Sequence, residues 1–474
     1  MTLRNCFYID GRWVASRSGE HMDVINASTE ERMGAIPLGG AFEIDMAVAA
    51  ARNAFESWSK LLPSERAVYL RKIADGLQVR ATELAEVICA EVGMPIRQTR
   101  AIQVAGPIAQ WRSVADLVDD FVTEQRIGNS LITQESVGVV AAITPWNYPL
   151  HQITLKVAAA LGAGCTVVLK PSEIAPLNAF ILAEVIEAAG LPAGVFNLVT
   201  GLGSTVGEAL SAHPDVAMVS FTGSTLAGKR VASRCAESVK RVALELGGKS
   251  ASIMLDDADF SSAVKATLNA CFLNAGQTCS ALTRLLVPAS RYSEVKTLAL
   301  KHVSALVPGD PFLDTTRLGP LTSAAQRDRV LTFIKKGLAQ GAELIAGGTE
   351  RPPGLERGYY VQPTILGNVL PDSVLGQEEV FGPVLSIICY DDEDDAVRIA
   401  NGTAFGLSGA VWSDSDAHAM AIARRLRTGQ VTVNGGAFNA LAPFGGFKQS
   451  GIGREGGAFG IDEFLEYKAY QMPT

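Results

Sequence analysis

From Val137 onward, short runs that are apolar at almost every position alternate with segments of helical periodicity. The runs are GVVAAI (138–143), TVVLK (166–170), VFNLV (195–199), VAMVSF (216–221) and VALEL (242–246), with helical patterns over 177–189 and 204–212. Strands without an apolar/polar alternation suit a parallel sheet covered on both faces, so this stretch predicts a doubly wound α/β domain. After Gly247 the alternation restarts. SIML (252–255), RLLVP (284–288), VLSIICY (384–390), GAVWS (409–413) and QVTVN (430–434) read as strands, with helices over 259–272, 292–306, 323–341, 394–401 and 416–428. These predict a second α/β domain. Before Val137, a short strand-like start gives way to helices. Asp45 can cap one carrying Val48, Ala49, Phe55 and Trp58, and Pro63-Ser64 opens another carrying Ala67, Leu70, Ile73 and Leu77. The segment FVTEQRIGNSLITQES (121–136) fits neither domain: Gly128-Asn129 reads as a hairpin turn, and an isolated ribbon is marginal in water. It is expected to pack elsewhere, with a partner subunit as one candidate.

Composition narrows the class. Over 474 residues, 48% hydrophobic content and 19% charged content exclude a disordered chain. With 41 basic against 49 acidic residues, there is no basic excess for nucleic acid. The start, MTLRNCFYIDGRW, lacks the apolar stretch of a secretory signal, and the uncharged stretch 136–155 contains Pro145, Asn147, Pro149 and His151, so no membrane span is expected. Seven scattered cysteines without a CxxC pair fit a reducing cytoplasm and argue against a metal site.

Loops after parallel strands are where such sheets bind ligands. Thr222-Gly223-Ser224 precedes a helix and suits a phosphate; GxGxxxG at Gly201, Gly203 and Gly207 is weaker, and ordinary βα turns explain both equally well. Cys279 in GQTC is either a nucleophile or a packed small hydrophobe. Glu245 in LELGGK is either a general base with a raised pKa or a strand end salt-bridged, for instance to Lys249. Asn147 can donate to an oxyanion or merely turn the chain between two prolines, and Glu379 and Phe381 read as a ribose ligand with a ring platform or as a capped loop.

Taken in order, TPWNYP (144–149), KPSE (170–173), FTGST (221–225), LELGGKS (244–250), GQTC (276–279), EEVFGP (378–383) and PFGGFKQSG (443–451) resemble the aldehyde dehydrogenase superfamily over nearly the whole chain. The resemblance implies a Rossmann-like coenzyme domain (1–120 and 137–247), a catalytic α/β domain (248–449) and an oligomerisation arm (121–136 with 461–474), in a dimer or tetramer. It implies Cys279 as nucleophile, Asn147 with the Cys279 N–H as oxyanion donors, Glu245 as the base for water, and Lys156 as a family lysine. Around the coenzyme it implies Thr144, Trp146, Lys170, Ser172, Glu173, Gly203, Gly223, Ser224, Leu246, Glu379 and Phe381. The coenzyme is expected to be NAD, with NADP possible, because a carboxylate at Glu173 accepts the ribose 2′-hydroxyl and repels a 2′-phosphate.

Aligned on these motifs, the substrate tunnel is expected to include Tyr148, His151, Leu155, Leu273, Phe438 and Phe444. That lining is mostly apolar and lacks an arginine. It favours medium-chain aliphatic or aromatic aldehydes over semialdehydes with an acid close to the carbonyl. A catabolic semialdehyde dehydrogenase, a CoA-acylating relative and a cysteine-dependent hydrolase are the alternatives. His151 departs from the apolar lining, meeting a polar tail or facing solvent.

Overall fold

The five apolar runs of the first half become five adjacent parallel strands. The structure, a computed structural model, describes residues 2–119 and 124–473. Val139–Ile143 lies at the centre, Met218–Thr222 and Arg241–Glu245 follow on one side, and Thr166–Lys170 and Phe196–Leu198 on the other. Alternate residues of one strand enter different cores: Val140 and Ala142 join one buried cluster, Val139, Ala141 and Ile143 another. That two-sided burial is why the runs show no polar alternation. The winding reverses between Val139–Ile143 and Met218–Thr222, which leaves a crevice at their carboxyl ends. Register sets what faces it, since Thr222 pairs with Glu245 and Ile143 with Lys170.

Two antiparallel additions close the sheet. Cys6–Ile9 and Arg12–Ala15 cover one edge. Gly451–Ile452 pairs with Leu244 and Glu245 at the other, so the chain returns to the first sheet after building the second.

The second sheet runs Glu343–Ala346, Thr364–Gly367, Val384–Tyr390, Arg284–Pro288, Ala251–Met254, Gly409–Trp412, Thr432–Val433, with only the first strand antiparallel. Arg284 ties it to the first unit's last loop. Its buried guanidinium donates to the carbonyls of Lys249 (2.9 Å), Ile399 (2.8 Å) and Ala400 (2.7 Å). Burial lowers its pKa to about 10.

Several boundaries differ from the sequence expectation. The first long helix begins at Ala41 behind Gly40, with Glu43 capping back onto the Gly40 N–H at 2.9 Å, so Asp45 lies inside the helix and caps nothing. Segment 204–212 is a π-type turn, Gly203–Gly207, followed by the short helix Glu208–Ala212. Asp259 caps, and does not begin, Phe260–Phe272, and the helix from Asp416 stops at Ala423. The expected hairpin forms: Ile127 pairs with Ser130 across Gly128-Asn129, and Ser130–Ser136 pairs along its length with Leu465–Gln471. Residues 121–123 and Thr474 of the arm expected at 121–136 and 461–474 lie outside the described residues. Among the described residues no helix is long and apolar enough to cross a membrane.

Candidate active site

A cleft of about 280 Å³ opens at the winding reversal and runs between the two sheets. Its walls bring together Trp146, Asn147, Gly223, Ser224, Glu245, Leu246, Cys279, Glu379 and Phe381, nine of the residues singled out from the sequence. They arrive from five separate loops, each following a strand or helix of one sheet or the other.

The loop that carries Cys279 is held under strain. Phe260–Phe272 ends, and Asn274 (φ +52°) and Ala275 (φ +53°) take left-handed conformations that non-glycine residues seldom adopt. Gly276 follows at φ +75°, and a Cβ there would fall 2.1 Å from the Gly382 carbonyl oxygen. Only glycine lets GQTC approach EEVFGP so closely. Cross-bonds then fix both neighbours. The Gln277 side chain donates to the Asn274 carbonyl (3.0 Å) and accepts from the Thr322 N–H (2.9 Å).

Asn147 is positioned from both ends. Its carbonyl accepts from Gln103 and Asn274, each at 2.9 Å, and its own Nδ2 donates to the Gln277 carbonyl at 3.0 Å. One amide hydrogen is thus spent on orientation, and the second is left for an oxyanion near Cys279.

Two carboxyls face the thiol. Glu245 is buried and neither of its oxygens has a hydrogen-bond partner. Burial pushes its pKa well above the usual carboxylate value, the Glu455 charge pushes further, and Lys156 and Arg454 oppose. Glu379 accepts from the Gly248 N–H at 2.9 Å, and burial raises its pKa to about 7. Burial and these two acids push the Cys279 thiol up to about 12, while the N–H groups of Ser280 and Cys279 pull it down. Burial therefore favours the protonated form of both the thiol and Glu245. The salt bridge considered for Glu245 and Lys249 does not form: Lys249 Nζ is also without a partner, and burial lowers its pKa to about 7.

The remaining expected residues lie around this centre. Lys156 is buried and pairs with Glu455. Thr144 is buried at the end of the central strand, its N–H donating to the Lys170 carbonyl at 3.1 Å. Lys170 Nζ pairs with Glu173 at 2.7 Å, and Ser172 Oγ accepts from the Ile174 N–H. Gly203 is exposed at the start of its π-type turn. None of these six lines the cleft itself.

The expected tunnel residues are dispersed. Tyr148, His151 and Leu155 follow one face of Pro149–Gly162, whereas Gln152 of the adjoining face lines the cleft and Lys156 pairs with Glu455. The Tyr148 hydroxyl meets Thr278 Oγ1 at 2.7 Å. His151 is half-buried, its Nδ1 shielded and without a partner among the described residues, and burial lowers its pKa. Phe444 is half-buried and pairs through its backbone with Glu455. Leu273 lines a separate cavity, and Phe438 stands 66% exposed on a loop.

Sequence reasoning missed Gln326 and Arg329. One turn apart on Ala324–Ala339, they donate to the Phe381 carbonyl (2.7 Å) and the Glu379 carbonyl (2.7 Å). Their spacing of three places them on one helical face, but nothing in the sequence ties that face to EEVFGP. Phe381 is held at φ +61°, its ring edge-on to Trp146 with centroids 5.4 Å apart.

The cleft has the form of a dinucleotide groove. Ser224 caps Thr225–Ala236, accepting from the Ala227 N–H at 3.3 Å, so free amides at the helix start face the cleft. At the other end a Cβ on Gly247 would strike Glu379 Oε2 at 2.5 Å, so bare backbone keeps that carboxyl in place.

Comparisons with known proteins agree with this geometry. The aldehyde dehydrogenase family model matches residues 13–470. A 3-succinoylsemialdehyde-pyridine dehydrogenase from a Pseudomonas species is 48% identical over 464 residues, 98% of this chain and 97% of that protein. Among solved structures, a variant of aldehyde dehydrogenase C from Pseudomonas syringae, complexed with NAD+ and octanal, superposes with a TM-score of 0.98 at 47% identity, covering 98% of this chain and 96% of that one. The Mycobacterium tuberculosis aldehyde dehydrogenase complexed with NAD+ gives 0.97 at 40% identity, covering 100% and 99%.

Proposed function

Because the chain belongs to the aldehyde dehydrogenase family, we propose that it oxidises a medium-chain aliphatic or aromatic aldehyde to the carboxylic acid with NAD, through a covalent adduct on Cys279. The observation that carries this reading is the single cleft at the winding reversal, into which Cys279, Asn147, Glu245 and Glu379 all converge.

The residues divide the work as follows. Cys279, its proton given up to water, adds its sulfur to the aldehyde carbon; a C–S bond forms and the carbonyl electrons move to oxygen. The free Nδ2 hydrogen of Asn147 and the Cys279 N–H receive the oxyanion. A bound nicotinamide would supply the acceptor for the electron pair of the adduct's C–H bond, and Cys279 would then hold the acyl group as a thioester. Glu245, once deprotonated, takes a proton from water, whose oxygen attacks the thioester; the C–S bond breaks and the acid leaves. The coenzyme would rest its pyrophosphate on the amides at Gly223-Ser224, its adenosine ribose by Glu173 and its nicotinamide ribose by Glu379.

All seven cysteines are free thiols, which suits a reducing compartment such as the cytoplasm. The three-stranded arm exposes one whole edge strand, Glu124–Ile127, which favours self-association as a dimer or tetramer. A semialdehyde substrate is the second reading, favoured by the 48% identical relative's name. A cysteine hydrolase is disfavoured because no histidine lines the cleft.

The test follows absorbance of reduced nicotinamide with octanal and benzaldehyde, with and without CoA, for the native chain and Cys279→Ala. Turnover with NAD, indifference to CoA and a loss of about 10⁴-fold or more in Cys279→Ala are expected. Turnover that survives in Cys279→Ala overturns the reading.

A further inference from the structure

We propose that a second cavity, of about 710 Å³, is the outer vestibule of the substrate route, and that Arg97 and Arg317 there bind the carboxylate at the far end of a medium-chain ω-oxo acid. This deepens the aldehyde-oxidation reading above and rests on it. The cavity's walls are the elements that hold the oxyanion residue. Ile102 and Leu273 both line it, and each directly precedes a residue, Gln103 or Asn274, whose side-chain amide donates to the Asn147 carbonyl at 2.9 Å. The Leu273 carbonyl also accepts from the Thr278 hydroxyl at 3.3 Å, and Thr278 adjoins Cys279. The cavity therefore adjoins the segments that position the reacting sulfur.

Its chemistry is divided. Ile102, Phe272, Leu273 and Leu306 offer apolar surface for a methylene chain. At the rim, the acid Asp314 is already engaged by Arg100 at 3.0 Å. Arg97 and Arg317 have no acid partner among the described residues, and the Gln98 side chain, donating to the Arg317 carbonyl at 3.3 Å, ties their two segments together. An apolar cavity with two guanidinium groups at its rim that have no acid partner among the described residues suits an aldehyde whose other end is a carboxylate. A carboxylate held at the rim leaves the apolar part of the cavity for methylenes, so the class is the medium-chain, not the short-chain, semialdehyde.

The test pairs kinetics with a binding measurement that needs no turnover. In the native chain kcat/KM is expected to be higher for 8-oxooctanoate than for octanal, and the ratio to fall about tenfold in Arg97→Gln/Arg317→Gln and with added salt. Calorimetry is expected to show suberate binding the native chain more tightly than octanoate, with about a tenfold loss in the same double variant and partial recovery with lysine at both positions. An unchanged ratio and unchanged suberate binding in the double variant overturn the proposal. If octanal is oxidised but suberate binds no better than octanoate, the vestibule proposal alone fails. If neither aldehyde is oxidised while suberate still binds through the two arginines, the vestibule stands and the aldehyde-oxidation reading fails.

Discussion

At the scale of single residues, this site is governed by burial of groups that prefer water. Glu245 is the clearest case: a carboxyl without a hydrogen-bond partner, shielded from solvent and beside the Glu455 charge, holds its proton well above 4.5. Its pKa is raised in the folded state, so its cost to stability is absent below about 4.5 and grows as pH rises toward the raised value. Glu245→Gln should therefore have a higher Tm than the native chain at pH 7 and no advantage at pH 4. A calorimetric scan at both pH values checks this, and a lower Tm at pH 7 would contradict the assignment. The same variant should stall after the thioester, leaving an acyl-enzyme detectable by intact mass, whereas thioester hydrolysis in the native chain should quicken with pH across the same window. The salt bridge considered between Glu245 and Lys249 fails because the chain leaves the strand after Glu245 and buries Lys249 beside the Arg284 guanidinium, and neither Glu245 nor Lys249 finds a side-chain partner among the described residues.

Among the elements, close approach of backbones decides most. The Cys279 loop meets EEVFGP only because Gly276 carries no side chain and sits at φ +75°. Gly276→Ala should cost about 3 kcal/mol or more of stability, or displace the loop and lower kcat about 10²-fold. Thermal melts and steady-state rates on the same preparation check both; native values in each would refute the contact. The strand cores of both sheets were legible in the sequence because two-sided burial demands continuous apolar runs, and TVVLK, RLLVP and VLSIICY keep their limits in the structure. Helix starts were less legible. Glu43, not Asp45, satisfies the first helix's end, because a capping side chain three residues in competes with any nearby acid. Tyr148, His151 and Leu155 share a helical face, and where that face points likewise depends on what the helix packs against.

For the whole molecule, the arm is the feature left without a partner. Leu465–Gln471 joins the hairpin to make three strands, yet Tyr467 and Tyr470 remain exposed, and a ribbon of this size is marginal in water. If the arm carries the proposed self-association, removing residues 466–474 should leave a monomer by light scattering, with a loss of thermal stability; an unchanged mass would move the interface elsewhere. By itself the sequence determined the doubly wound sheets, the hairpin and the loops that carry chemistry, since these follow from local apolar patterning and from motifs that survive being read in one dimension. Only the tertiary structure decided which loops meet. Gln326 and Arg329 steady EEVFGP, Glu455 returns from the C-terminal end to Lys156, and Arg97 comes near Arg317, because packing of separate elements, unlike propensity, has no signature along the chain.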